Sequence, residues 1–328
     1  MTAIYVSDPI HPDVLTGLAE TGAVYLGYGP EAVRYNDIRH DIDAVMLRTE
    51  TFAAEMITGS PKLKIIARHG IGSDNVDIPA ATDHGVWVTV TPGQNSQAVA
   101  EHVFTLALAL SRKVVAAATA TRAGSWTDAK AGLVGSELGG KTLGLYGLGS
   151  IGTRVLKIAN GFGMDVIVTD PYLTAEQITQ AGGRKVDLDE LLTTSDVISL
   201  HIPLTPATRH TINADAISKM RPGTLLINTA RGGLIDEQAL INTLRSGYLG
   251  GAGVDVLDAE NVDMKDPLPH NRLPLDEIPN LIVTPHVAGQ TNESLRNVGA
   301  AALTCIQQAL AGDTPNHALN TITEPSIA

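Results

Sequence analysis

Short runs of β-branched and apolar residues alternate along this chain with longer stretches whose apolar positions recur at helical spacing. That alternation is the signature of parallel sheets built from strand–helix–strand units, and the expected class is α/β. In the first part of the chain strands are expected near Ala3–Val6, Ala23–Leu26, Ala44–Leu47, Leu63–Ala67 and Val86–Val90. In the second part they are expected near Thr142–Tyr146, Asp165–Thr169, Val197–Leu200, Thr224–Ile227, Gly253–Val256 and Leu281–Val283. No repeat of solenoid period and no low-complexity tract interrupts the pattern.

The same pattern suggests where the chain changes domain. Its 328 residues leave room for two cores rather than one. The turn-rich stretch Thr91-Pro92-Gly93-Gln94-Asn95 leads into an apolar helix expected from Ser96 to about Ser111, and a second long helix is expected from about Asn292 to Ala311. A chain that returns through the second helix makes its first domain discontinuous. Residues 1–96 with 293–328 are then one domain and 97–292 the other, each a doubly wound parallel sheet. The longest apolar run, Val103–Leu110 with Ala98–Ala100 before it, is far short of the roughly 20 residues that span a bilayer.

Charge and composition narrow the partners. Lys and Arg number 23 against 35 Asp and Glu, a formal charge of −12. That leaves no basic excess to attract nucleic-acid phosphates or an anionic membrane, so neither is expected as a partner and a small molecule fits better. The one cysteine, Cys305, excludes an intramolecular disulfide framework and any multi-cysteine metal site; no metal is expected, and Cys305 reads as a core residue on a helix. Met1-Thr2-Ala3 passes directly into the strand-like Ile4-Tyr5-Val6 without the basic and apolar regions of a signal peptide. A cytoplasmic location is the expectation.

In open parallel sheets ligands bind beyond the carboxyl ends of the strands. Polar residues follow nearly every expected strand: Asp8, Arg48, Arg68 with His69, and Thr91–Asn95 in the first half; Asp170, His201, Asn228–Arg231, Asp255 and His286 in the second. Two sheets that offer polar groups at the same ends suggest a cleft between the domains.

The glycine-rich segment Gly147-Leu148-Gly149-Ser150-Ile151-Gly152 has the spacing G-x-G-x-x-G. Alone it is a weak signal, but it follows the strand Thr142–Tyr146, opens a helix expected over Ile151–Ala159, and is succeeded by a strand ending in Asp170, 18 residues past Gly152. Glycines let the backbone approach a pyrophosphate, the helix start attracts its charge, and the acid accepts from ribose hydroxyls. The competing reading is a tight turn with Asp170 as a helix cap. An acid at this position repels the 2′-phosphate of NADP, and Pro171 stands where a phosphate-binding arginine would otherwise sit, so NAD is expected ahead of NADP.

Three further signatures occur in order: Asn228-Thr229-Ala230-Arg231-Gly232-Gly233, then Gly253-Val254-Asp255-Val256 with Glu260, then Thr284-Pro285-His286. With Asp74-Asn75-Val76-Asp77, Asn95-Ser96, Val99-Ala100-Glu101 and the segment from His201 through Pro203 to Pro206, they make nearly the whole chain resemble the D-isomer-specific 2-hydroxyacid dehydrogenases. The resemblance implies a Rossmann NAD domain, a flavodoxin-like substrate domain, and hydride exchange at C2 of a small 2-hydroxy acid. Arg231 offers a planar fork that can bind a carboxylate or polarise the C2 oxygen. His286 can serve as acid and base near neutral pH, with Glu260 orienting its ring. The family pattern adds Asp255 and Ala230 at the nicotinamide, and His201 and Pro203 on the cofactor side. Taken singly, Arg231 reads equally as a surface arginine, Glu260 as a solvated acid and Asp255 as a turn residue; their order in a sheet that carries a dinucleotide loop is what joins them. Asn261 stands where many relatives have proline, and the segment 261–279 is somewhat long, so the loop bearing Glu260 is expected to be shaped differently. A glutamate at 260 also argues against formate dehydrogenases, which pair the histidine with glutamine.

The resemblance places Gly70, Ile71 and Gly72 against the substrate carboxylate, a backbone nest that glycine permits. Arg48 and Arg68 match positions like the phosphate-binding arginines of D-3-phosphoglycerate dehydrogenases, which implies a second anionic group on the substrate; structural ion pairing is their other reading. Rival activities are a general glyoxylate or hydroxypyruvate reductase, a sulfolactate-type dehydrogenase and a D-lactate dehydrogenase. Three Phe and two Trp weakly disfavour a large aromatic substrate. A non-catalytic NAD-sensing protein resembling corepressors is the rival from another class. A homodimer is expected, formed through the helix from Gln97 to Ser111 and the arm that follows to Leu138.

Overall fold

The structure, a computed structural model, describes residues 2–271, 273–275 and 277–322, without the side chain of residue 128. Its strands are β1 Ala3–Val6, β2 Ala23–Leu26, β3 Ala44–Leu47, β4 Ile65–Arg68, β5 Trp87–Thr89, β6 Thr142–Tyr146, β7 Asp165–Thr169, β8 Arg184–Lys185, β9 Val197–Leu200, β10 Leu225–Asn228, β11 Gly251–Val254 and β12 Leu281–Val283. They form two sheets, ordered β2-β1-β3-β4-β5 and β12-β11-β10-β9-β6-β7-β8, with all these pairings parallel. The α/β class and the doubly wound parallel sheets are those expected from the alternating pattern. The chain divides into two compact units, Met1–Asn95 with Gln290–Ala328 and Ser96–Gly289.

Within each unit the inner strands bury both faces, which is why they read as nearly continuous apolar runs. In β1, Ala3 and Tyr5 enter one core while Ile4 and Val6 enter the other. In β9, Val197 faces one side of the larger sheet and Ile198 and Leu200 face the other. Two strands depart from expectation. The two-residue edge strand β8 is polar and exposed, so no apolar run announces it. β11 starts at Gly251 rather than Gly253 because its glycines make room for a neighbour: a β-carbon at Gly253 would stand 2.8 Å from Cβ of Leu106, on the helix Ser96–Ser111. That apolar helix packs on β10, β11 and the helix Ser150–Gly161. Among the described residues no single helix is long and apolar enough to cross a membrane.

In the smaller unit the helix Asn292–Ala311, capped by Thr291 and ended at Gly312 with φ +89°, packs on β3 and β4 and against the helix Pro12–Thr21. Cys305 is buried on it, as expected. The chain beyond it closes the β5 edge: Leu319 donates to Val88 O at 2.8 Å, and Asn320 accepts from Val88 N at 2.9 Å and donates to Val86 O at 2.9 Å. Such cover removes an exposed edge that would otherwise invite foreign strands.

The helix crossing depends on a missing side chain. A β-carbon at Gly299 would lie 2.6 Å and 3.0 Å from the two γ-carbons of Val14, a stiff residue on the opposing helix. Gly299→Val should therefore lower stability by about 2 kcal/mol in urea titrations followed by circular dichroism. Gly161→Ala, at a helical position with open space around the new methyl, should not; equal losses in the two variants would contradict the close crossing.

Candidate active site

The strand order of the larger sheet reverses between β6 and β9, where a ligand site is expected beyond the carboxyl ends. The loop after β6 turns through Gly147, whose φ of +97° favours glycine and whose β-carbon would lie 2.7 Å from His201 O. At Gly152 a β-carbon would overlap Gly147 O, so the third glycine is set by helix-to-loop packing. Gly149 differs, because its β-carbon would meet nothing within 4 Å. It is the N-cap of the helix Ser150–Gly161 and makes no side-chain cap bond, so Ser150, Ile151 and Gly152 begin a helix whose N–H groups point past a glycine into open space. That arrangement suits a pyrophosphate, and a side chain at Gly149 would fill the cradle.

Asp170 follows β7, accepting from Leu148 N and Tyr172 N, each at 2.9 Å. It thus ties the glycine loop to its own strand end. His201 follows β9 with Nε2 2.9 Å from Ser199 Oγ, and burial lowers its pKa from 6.5 to about 4. Exposed Pro203 accepts from Thr208 Oγ1 at 2.7 Å.

After β10, the Asn228 side chain accepts from Ala230 N at 3.0 Å and donates to Arg231 O at 2.8 Å, holding Arg231 in an extended conformation. Arg231 Nη1 donates to Ala230 O at 2.7 Å. A β-carbon at Gly232 would overlap the backbone of Leu257 and Asp258, so this glycine lets the Arg231 turn lie against the turn bearing Glu260. Glu260 sits in the 3₁₀ turn Asp258–Asn261, its Oε1 accepting from Leu257 N at 2.8 Å. Asn261 binds Asp258 O and Oδ1 through its side chain at 2.9 and 2.8 Å and secures the turn.

Glu260 Oε2 lies 2.7 Å from Nδ1 of His286, whose side chain is 47% exposed while that of Glu260 is 12% exposed. A carboxylate at Nδ1 assigns that nitrogen the proton, leaving Nε2 as the reactive atom of the neutral ring. His286 has φ +53°, an uncommon conformation for a residue with a β-carbon. Its N–H donates to Asp255 O at 2.9 Å and to Thr284 O at 3.0 Å, the latter an i to i+2 turn about Pro285.

Asp255, expected at the nicotinamide, is tied to the loop after β12. It is 1% exposed, and its carboxylate accepts from Thr284 Oγ1 at 2.5 Å, Val287 N at 2.9 Å and Ala288 N at 2.8 Å. It is the anchor of the loop that carries His286. His102, which motif reading passed over, reaches the same place, with Nε2 3.0 Å from Thr284 Oγ1 and 3.6 Å from Asp255 Oδ1. The only sequence signal was a lone histidine in an apolar helix.

In the smaller unit Arg68 is 6% exposed and donates to Gly72 O at 2.6 Å, to Leu47 O at 2.9 Å and to Arg48 O. These bonds make it a support of the Gly70–Gly72 turn. Arg48 is half-buried; burial lowers its pKa, Asp8 works against that, and Nη1 donates to Pro9 O at 3.3 Å. Gly70 has φ +151° with open space where a side chain would be, and Ile71 is exposed. His69 is buried with no partner for Nε2, and burial followed by the charge of Arg48 lowers its pKa to about 4.

Residues 104–288 match the family model described as "D-isomer specific 2-hydroxyacid dehydrogenase, NAD binding domain". The chain is 43% identical over 260 residues to a hydroxypyruvate reductase of Thermotoga maritima, covering 79% of this chain and 82% of that one. It is 38% identical over 322 residues to a D-3-phosphoglycerate dehydrogenase of Methanocaldococcus jannaschii, covering 98% of this chain and 60% of that protein. The chain thus spans about three fifths of the length of such phosphoglycerate dehydrogenase relatives. Among solved structures it is similar to apo D-lactate dehydrogenase of Escherichia coli, with a TM-score of 0.83, 30% identity and coverage of 98% and 100% of the two chains. The chain belongs to the D-isomer-specific 2-hydroxyacid dehydrogenase family.

The buried His69 and the half-buried His201 predict an acid sensitivity. His69 and His201 titrate at about 4 in the folded protein against 6.5 for an ordinary histidine, so between these values the unfolded chain binds more protons. The stability their neutral forms retain above pH 6.5 is lost as pH falls toward 4. The His69→Gln, His201→Gln double variant should lose less of its urea midpoint between about pH 7 and about pH 4.5 than the parent. An identical slope in both proteins would contradict these burial effects.

Proposed function

We propose that this chain is an NAD-dependent dehydrogenase that exchanges a hydride with C2 of a small D-2-hydroxy acid bearing a second anionic group. The observation that carries the reading is the 2.7 Å Glu260–His286 pair, on the same carboxyl edge of one sheet as the uncapped glycine-loop helix and the Arg231 turn. Ser150, Ile151 and Gly152 hold the pyrophosphate through backbone N–H groups, and Gly147 and Gly149 give it access. Asp170 accepts from ribose hydroxyls and disfavours a 2′-phosphate, while His201, Pro203 and Ala230 flank the nicotinamide side. A nicotinamide bound there supplies the hydride donor or acceptor.

The chemistry left to the chain is charge and proton handling. The Arg231 fork binds the carboxylate or polarises the C2 oxygen. His286 Nε2 gives a proton to that oxygen in reduction and takes it in oxidation, with Glu260 holding the ring. The Gly70–Gly72 backbone, supported by Arg68, receives the carboxylate, and half-buried Arg48 receives the second anion: phosphate, sulfonate or carboxylate. A second copy of the chain covers the arm after Ser111. In support, the helix Val114–Arg122 buries no residue, and Trp126 and Val134 are 70% and 75% exposed. A light-scattering mass of one chain would contradict that dimer.

The testing experiment follows NADH oxidation with glyoxylate, pyruvate, hydroxypyruvate, 3-phosphohydroxypyruvate, 3-sulfopyruvate and 2-oxoglutarate, with NADPH in parallel. A doubly anionic acid should be preferred, and Arg48→Ala should erase that preference. His286→Ala should lower kcat about 100- to 10,000-fold with NADH affinity nearly unchanged. Fast turnover of glyoxylate or pyruvate with no such preference would make this a general reductase. Silence across the panel with NADH binding retained would favour a non-catalytic sensor.

A further inference from the structure

We propose that His102 and Thr284 are positioning residues for His286: with Asp255 they form a part-buried brace that fixes the 284–288 loop and so sets turnover. The inference rests on the reading of His286 as the proton donor.

The brace joins three segments of one unit: the helix Ser96–Ser111, the end of β11 and the loop after β12. A threonine hydroxyl has one proton to give. Here it goes to Asp255 Oδ1 at 2.5 Å, because the carboxylate is an acceptor that also takes Val287 N and Ala288 N. The 3.0 Å contact between Thr284 Oγ1 and His102 Nε2 then requires the imidazole to donate, so His102 carries a proton on Nε2. The chain of donation runs from His102 through Thr284 to Asp255 and is shielded from water, with the carboxylate 1% and the imidazole 16% exposed.

Its mechanical consequence falls on His286. The left-handed backbone at φ +53° persists only where the surroundings over-determine it. Asp255 grips the loop on both sides of His286, at Thr284 before it and at Val287 and Ala288 after it, while its carbonyl accepts the His286 N–H. Removal of the Thr284 hydroxyl takes a donor from a buried carboxylate and an acceptor from a buried imidazole together. The loop relaxes, and the ring leaves the position in which Glu260 holds it.

The test uses the whole protein with NADH and its fastest 2-keto acid. Thr284→Val and His102→Leu should each lower kcat about 10- to 100-fold, a loss typical of a misplaced catalytic group, with the KM for NADH within about two-fold of the parent. Thr284→Ser and His102→Gln, which restore the hydroxyl and a side-chain N–H donor, should recover most of the loss. On the unaltered protein, ¹⁵N NMR of labelled histidine should show His102 protonated at Nε2; protonation at Nδ1 alone overturns the arrangement even where a variant fails to fold. Unchanged kcat in Thr284→Val and His102→Leu, with His286→Ala inactive, overturns the brace and leaves the proposed function standing. An active His286→Ala removes the proposed function itself. Parallel loss of kcat and NADH binding, unrelieved by Thr284→Ser, overturns a positioning role.

Discussion

A carboxylate taken out of water must be surrounded by donors, and in the larger unit Asp255 meets that demand by ordering a whole loop. Its two oxygens draw in Thr284, Val287 and Ala288, and its own carbonyl takes the N–H of His286. The left-handed turn at His286 and the meeting of Nδ1 with Glu260 both follow from that one desolvated anion. A well-satisfied buried charge adds little net stability but fixes one geometry, which is what a site built on loops requires.

The parallel sheet supplies the rest of the arrangement. Because β6, β7, β9, β10, β11 and β12 run the same way, Gly147, Asp170, His201, Arg231, Asp255 and His286 emerge on one edge without any long-range design of the loops. Glycine then sets how closely the loops approach. Gly232 lets the Arg231 and Glu260 turns touch, while Gly149 leaves the helix start open. In the smaller unit the same logic places Arg68 beneath the Gly70–Gly72 turn, a buried cation bonded to backbone carbonyls.

Much of this was legible in the residues. Alternating apolar runs located most strands because both sheet faces are buried, and the G-x-G-x-x-G spacing carried its mechanism with it. His286 and Glu260, 26 residues apart, were brought to 2.7 Å, as their expected partnership requires. What stayed hidden depends on side-chain direction. Nothing in the one-dimensional pattern shows that Asp255 anchors a loop or that Arg68 is bonded to backbone carbonyls. His102 lies 182 residues before Thr284, and only the packing of its helix on β11 brings them together. β8 was silent because an edge strand of two exposed basic residues has no apolar run to show.

The proposed hydride exchange at C2 of a D-2-hydroxy acid rests on His286 and Arg231. It is tested by reduction of the preferred 2-keto acid with NADH carrying deuterium at both C4 positions, followed by chiral analysis and mass spectrometry of the product. The expected product is a D-2-hydroxy acid with deuterium on C2. An L product, or a D product whose C2 hydrogen comes from solvent, would contradict it.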